Sequence, residues 1–131
     1  MTIEVTSAVI ERLLTEAAQA HPHECCGILL GDDTAITILQ PAKNVHPKPE
    51  THFEIDPQAL VDAHRAARDG GPAIMGYYHS HPNGLAHPSS TDMEMSVSDG
   101  SIWAIVATRD VTFWRSVEQG FVPLPYSVSA R

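Results

Sequence analysis

The apolar positions of the chain fall into two periods, one near 3.6 residues and one of 2, and glycine, proline and capping residues mark where one gives way to the other. Val9, Ile10, Leu13, Leu14 and Ala17 recur at helical spacing behind Thr6 or Ser7, either of which can cap a helix running to about Ala20, where His21-Pro22 ends it. From Glu24 to Leu30 every residue after the first is apolar or small, as in a buried strand. Gly31-Asp32-Asp33 predicts a turn, and Thr34 to Leu39 alternates as the hairpin partner, so this hairpin is expected near the centre of a sheet. Pro41, Pro47 and Pro49 then make an irregular connection, the segment expected to be the most mobile one near a substrate.

His52 to Ile55 reads as a short strand. Asp56 is an N-cap with Pro57 at the first helical position, and Leu60, Val61, His64 and Ala67 mark the expected inner face of a second helix that Gly70-Gly71 stops. Ala73 to His81 is apolar and aromatic enough for a strand, which Pro82 closes because it cannot donate to a ladder. Asp92 to about Val97 predicts a third, short helix with Met93 and Val97 facing inward, and Asp99-Gly100 turns the chain. Ser101–Thr108 and Val111–Val117 are expected strands joined by Arg109-Asp110, with Phe121 to Val128 a proline-punctuated edge segment. Helices grouped around hairpins, without repeated crossover units, predict an α+β fold: one domain over residues 1–131 with a mixed, mainly antiparallel sheet flanked by helices. No internal repeat or low-complexity tract interrupts it.

A chain of 131 residues buries about two-thirds of the surface its unfolded form exposes, so it needs neither disulfides nor a metal simply to fold. Sixteen acidic against eight basic residues give a formal charge of −8, and with no Lys/Arg cluster this argues against a nucleic-acid partner. The N-terminus lacks a basic start and apolar core, and no apolar run approaches the ~18 residues needed to span a bilayer, so no membrane association and a cytoplasmic location are expected. The two cysteines, Cys25 and Cys26, are adjacent on the predicted strand, where they project to opposite faces and cannot readily pair. That suits a reducing compartment, and both read as core thiols in preference to a nucleophile.

The candidate chemistry centres on Gly76-Tyr77-Tyr78-His79-Ser80-His81-Pro82 and the loop that ends in Ser89-Ser90-Thr91-Asp92. Residues two apart on a strand face one way about 6–7 Å apart, so His79 and His81 can lean onto one ion at Zn–N distances of about 2.0–2.1 Å. Ser89 to Asp92 reads as a helix N-terminus whose carboxylate can fold back onto the strand as a third ligand. Two His and one Asp leave a fourth position for water, the arrangement a hydrolytic zinc needs. Glu24, an acidic residue opening an apolar strand, is the candidate base. Ser80 should point away from the metal and pack, and Tyr77 and Tyr78 are expected to be core residues. His21, His23, His46, His52 and His64 read as surface or supporting residues; His87, alone among the rest in lying on the ligand loop, is a candidate substrate contact.

The combination of Glu24, the His79-Ser80-His81-Pro82 run, and Ser89 with Asp92 three residues on resembles the JAMM motif of the MPN (Mov34/PAD-1) metalloprotease family, and the resemblance spans nearly the whole chain. It implies an MPN/JAB, cytidine-deaminase-like fold with one zinc per chain. It also implies His79, His81 and Asp92 as ligands, Glu24 as general base, and Ser89 as the hydroxyl supporting the oxyanion. Members of that family cut peptide or isopeptide bonds at the Gly-Gly tails of ubiquitin-like proteins. A short chain without long loop insertions is expected to trim the tail of a sulfur-carrier protein in preference to polyubiquitin. A non-catalytic MPN scaffold is the alternative, although such members lose motif residues and none is lost here. A zinc nucleotide deaminase needs His-x-Glu and Pro-Cys-x-x-Cys ligands, which the chain lacks.

Overall fold

The computed structural model describes residues 2–32, 34–96 and 98–130. Among these described residues, three helices and eight strands follow one another as β1 (Ile3–Thr6), α1 (Ser7–Ala20), β2 (Cys26–Asp32), β3 (Ala35–Ala42), α2 (Pro57–Arg68), β4 (Ala73–Ser80), α3 (Ser90–Met95), β5 (Ile102–Val106), β6 (Val111–Val117), β7 (Gly120–Pro123) and β8 (Tyr126–Ser129). All eight strands form one sheet in the order β7-β6-β5-β4-β2-β3-β1-β8. The β2–β3, β2–β4, β5–β6 and β6–β7 pairs are antiparallel. The β1–β3, β1–β8 and β4–β5 pairs are parallel. The sheet is therefore mixed and mainly antiparallel, as expected, with the β2–β3 hairpin inside it.

The expected edge segment at residues 121–128 is in fact two strands on opposite margins of the sheet, joined only by Leu124-Pro125. Three peptide steps reach roughly 10 Å at most, so the two margins must come together and the sheet curls nearly shut. Contacts across the seam agree. The Tyr126 hydroxyl donates to the Val111 carbonyl at 3.0 Å, and the Phe113 and Tyr126 rings lie 4.6 Å apart.

Helix α1 fills the inside of the curl. Its N-cap is Thr6, whose hydroxyl accepts from the Val9 N–H. Its predicted stripe is the buried one: Val9 and Leu13, flanked by Ile10, Leu14 and Ala17, pack with Val5, Leu29, Ile36, Tyr78, Ala104 and Phe113. On the outer face α2 covers Ile28 and Leu30 through Ala63 and Leu60. Here the expected inner face is corrected: Val61 is 43% exposed and His64 is exposed, because the helix leans on the sheet along Ala59, Leu60 and Ala63, where small residues admit a close approach. A third cluster on that face joins Cys26, Phe53, Ile55 and Trp103. Cys25 packs with the inner cluster and Cys26 with the outer one, on opposite faces as predicted.

Other differences have local causes. Strand β2 begins at Cys26, so Glu24 precedes it, and Gly31 and Asp32 continue the ladder against Ile36 and Ala35; Asp33, the last residue of the expected turn, lies outside the described residues. The short β1 was not expected; four residues beside a helix cap give a weak periodic signal. Residues 52–55 make a single antiparallel bridge, Asn44 to Ile55, and no strand. Helix α3 begins at Ser90, and Met93 is 48% exposed because one short helix turned to bury Asp92 must turn Met93 away. Val97 lies outside the described residues.

Candidate metal centre

The site is built on the end of β4. Its strand lies between β2 and β5, with His79 opposite Cys26 on one side and Ile105 on the other. Contact with β5 is close: a Cβ on Gly76 would sit 1.8 Å from the Ile102 carbonyl oxygen. Beyond the last strand residue the His81 N–H still donates to the Val106 carbonyl at 2.9 Å, so the ladder carries both histidine backbones. Strand alternation then brings the rings together, with the two Nε2 atoms 3.0 Å apart.

Asp92 closes the triangle. Its Oδ1 lies 3.0 Å from His79 Nε2 and its Oδ2 3.0 Å from His81 Nε2. What aims this carboxylate is the start of α3, where Ser89 and Asp92 form a reciprocal capping box: the Asp92 N–H donates to Ser89 Oγ at 3.1 Å and the Ser89 N–H to Asp92 Oδ2 at 2.9 Å. All three residues are buried, at 0%, 7% and 3% exposure for His79, His81 and Asp92. Burial alone would raise the Asp92 pKa, but the hydrogen bonds from both imidazoles, the His79 charge and the Ser89 N–H outweigh it and hold the carboxyl far below the usual range. Burial depresses His79 despite its bond to Asp92. At His81 the same burial is overcome by the bonds to Asp92 and to the Leu85 carbonyl, and its pKa rises.

The donor set fits a transition-metal ion. His81 Nδ1 lies 2.7 Å from the Leu85 carbonyl, which can only accept, so Nδ1 keeps its proton and Nε2, once it gives up the proton it shares with Asp92, is the nitrogen that offers a lone pair to an ion. That lone pair, a second imidazole nitrogen and an ionised carboxylate converge within 3.0 Å of one another in a buried pocket, a cluster of electron-rich atoms that a cation would satisfy. Nitrogen and oxygen donors in this number suit tetrahedral zinc with one position open. Among the described residues, His79, His81 and Asp92 are the one group of three or more His, Cys, Asp or Glu side chains placed to hold a metal. Phe53 stacks on His79 at 4.3 Å, nearly parallel, and Trp103 meets the same ring edge-on at 5.6 Å.

Glu24 and Ser89 line the cleft beside this triangle, which holds about 160 Å³ and is shared with Glu50, Thr51, His81, Pro82, Asn83 and Thr91. Glu24 is 6% exposed. Burial pushes its carboxyl up to about 7, with His81 pulling it down and the Asp92 charge adding to the rise. A carboxylate poised there is suited to accept a proton near neutral pH. Ser80, as expected, is occupied in packing: its Oγ accepts from the Cys25 N–H at 2.8 Å and its N–H donates to the Cys25 carbonyl at 3.1 Å. The thiols are not nucleophiles in waiting, since burial pushes Cys25 up to about 11 and Cys26 up to about 12.

Tyr78 is wholly buried and donates to Glu16, whereas Tyr77 packs partly buried on the outer face. His87 is exposed, and its Nδ1 lies 3.4 Å from the Pro88 carbonyl. His46 and His52 stack on each other at 4.6 Å, and His23 lies 3.6 Å from Glu50. Sequence reasoning missed Asn44, Glu50, Thr51 and Phe53 as neighbours of the site. They lie on an irregular loop, where no periodicity reports which way a side chain faces.

Residues 6–117 match the family described as prokaryotic homologs of the JAB domain. A desampylase of Haloferax volcanii is 32% identical over 107 residues, covering 80% of this chain and 77% of that protein. A Thermus thermophilus protein named probable TtuB-protein conjugate cleaving protease is 37% identical over 90 residues, covering 65% of this chain and 60% of its own length. The CysO-cysteine peptidase of Mycobacterium bovis is 27% identical over 108 residues, covering 81% of this chain and 73% of that protein. Among solved structures, that of a Desulfitobacterium hafniense protein superposes with a TM-score of 0.85 at 25% identity, covering 99% of this chain and 94% of that one. A JAB1/MPN domain protein of Archaeoglobus fulgidus shares the fold at a TM-score of 0.64 and 18% identity, covering 96% and 98%. With a matched span of this length laid over the curled sheet and the His-His-Asp triangle, the chain belongs to the prokaryotic JAB branch of the JAB/MPN domain family.

Proposed function

We propose that this chain is a zinc-dependent peptidase, with one zinc per chain held by His79, His81 and Asp92, that cleaves after the Gly-Gly tail of a ubiquitin-like sulfur-carrier protein. The observation that carries the reading is the convergence of two imidazole Nε2 atoms and one carboxylate within 3.0 Å, with an acid of raised pKa in the adjoining cleft. The named relatives, a desampylase, a conjugate-cleaving protease and a CysO-cysteine peptidase, support hydrolysis of a protein conjugate.

Zinc bound there supplies Lewis acidity, which acidifies water and polarises a carbonyl. The protein supplies the rest. Glu24 takes a proton from the attacking water and returns it to the leaving nitrogen, so one carboxyl serves as base and then acid. Because the Ser89 oxygen accepts from the Asp92 N–H, its own hydroxyl proton is free to donate to the negative oxygen that develops on the scissile carbonyl. Phe53 and Trp103 hold the His79 ring plane and keep water from its buried side. A tail without side chains asks the least room of a cleft of about 160 Å³, which suits it to glycines.

The test is mass spectrometry of a sulfur-carrier protein extended beyond its Gly-Gly, before and after incubation with the zinc-loaded protein. Release of the extension to leave a free glycine carboxylate is expected, and replacing the first glycine with a larger residue should block it. An intact carrier alongside hydrolysis of unrelated peptides would reject the substrate assignment while leaving the metal chemistry in place.

A further inference from the structure

Glu24 stands outside the sheet that carries the metal ligands, because β2 begins only at Cys26. Its backbone is held instead by the segment 43–56, at two separate points. The Glu24 N–H donates to the Pro49 carbonyl at 2.7 Å, and the Glu24 carbonyl accepts from Asn44 Nδ2 at 3.0 Å. That segment is itself closed by paired backbone bonds, Asp56 N–H to Lys43 at 3.0 Å and Val45 N–H to Glu54 at 2.9 Å. The connection expected to be the most mobile one is therefore fastened at both ends and at its tip.

Asn44 ties these pieces together. Its Nδ2 donates a second bond to the His52 carbonyl at 3.0 Å, while Oδ1 accepts from the His46 N–H at 3.1 Å and the Glu54 N–H at 3.0 Å. A carboxamide has two N–H donors and one oxygen with two lone pairs, so its whole capacity is used. The orientation of the amide is also determined: turned over, it would set oxygen against two carbonyls and N–H₂ against two N–H groups. The next residue after His52 is Phe53, whose ring lies on His79. A side chain that only closed a loop would have no need to reach Glu24.

We propose that Asn44 is a positioning residue for Glu24, holding the backbone of the base against the loop that packs on the metal-bearing strand. This inference rests on the reading of Glu24 as the base. None of the hydrogen bonds that orient His79, His81 and Asp92 involves Asn44, so its effect should reach the reaction through the base and not through the metal.

Asn44→Asp separates the two halves of the side chain, since it keeps the oxygen that serves His46 and Glu54 and removes both donors. In native-state hydrogen exchange on the metal-free protein, the Glu24 amide should lose protection in Asn44→Asp while the amides of Ile28 and Leu29 in β2 keep theirs. With carrier substrate, kcat should fall on the order of 10²-fold, as for a catalytic group displaced by about 1 Å, with KM within about twofold. Zinc affinity by chelator competition should stay within about twofold of wild type, and Asn44→Asp should cause no further loss in a Glu24→Gln background. Unchanged Glu24 protection, a wild-type kcat, a parallel loss of zinc affinity, or loss of cooperative folding in both Asn44→Asp and Asn44→Ala would each overturn the proposal. If the wild-type protein hydrolyses no carrier, the functional reading fails, and the exchange result decides separately whether Asn44 holds Glu24 in place.

Discussion

Ser89 and Asp92 bind each other twice, and the Asp92 oxygen that accepts the Ser89 N–H at 2.9 Å is the same one that lies 3.0 Å from His81 Nε2. A helix cap and a candidate metal ligand are therefore one structure. The cap settles the carboxylate rotamer before any ion arrives, and ordering the ligand in advance reduces the entropy lost on binding.

The ligand set predicts one zinc in the wild-type protein and none when His79 and His81 are both replaced by Ala. The fold should survive, because the inner core around α1 does not include the triangle. Elemental analysis with a thermal melt of the same samples checks both parts; a metal-free wild-type protein, or a double variant that still binds zinc, would count against the assignment.

Glu24→Gln should keep its zinc and lose turnover by 10²-fold or more. Loss of metal in this variant would make Glu24 a ligand. In metal-free protein the sign of the pH effect follows from burial. The folded-state pKa of about 7 lies above the ordinary 4.5, so folded protein binds more protons between those values and stability falls as pH rises through that window. The Gln variant lacks this loss. Metal-free Glu24→Gln should therefore melt higher than metal-free wild type at pH 8, by up to roughly 3 kcal/mol of stability, with the gap closing near pH 4.

Ser89→Ala removes the acceptor for the Asp92 N–H and should cost about 1 kcal/mol, read as a lower Tm. Zinc is retained. Turnover should drop on the order of 10²–10³-fold if the hydroxyl also supports the oxyanion. A lower Tm with near wild-type kcat would leave Ser89 as a cap alone.

Gly76→Ala should disturb the site without touching it. The added Cβ would meet the Ile102 carbonyl at 1.8 Å, so β4 must move away from β5, and the two histidines move with it. Lower stability and weaker zinc binding are expected together. Zinc affinity unchanged in a destabilised variant would show that the end of β4 is held independently of its middle.

Much of this was legible in the chain because it depended on local geometry. Helix α1 with its Val9–Leu13 stripe, the β2–β3 hairpin, and the alternation that aims His79 and His81 the same way all follow from residues a few positions apart, whose spacing directly sets which face they share. The Ser89–Asp92 cap was legible for the same reason. What the tertiary structure alone decided were relationships between segments distant in sequence. The curl that brings β7 and β8 together, the lean of α2 onto Ala63 in place of Val61, the burial that lifts Glu24, and the Asn44 amide that holds it all depend on where a remote backbone comes to lie. A loop residue has no period, so its partners are set by packing, and only the assembled fold shows that one asparagine reaches the carbonyl of a glutamate twenty residues away.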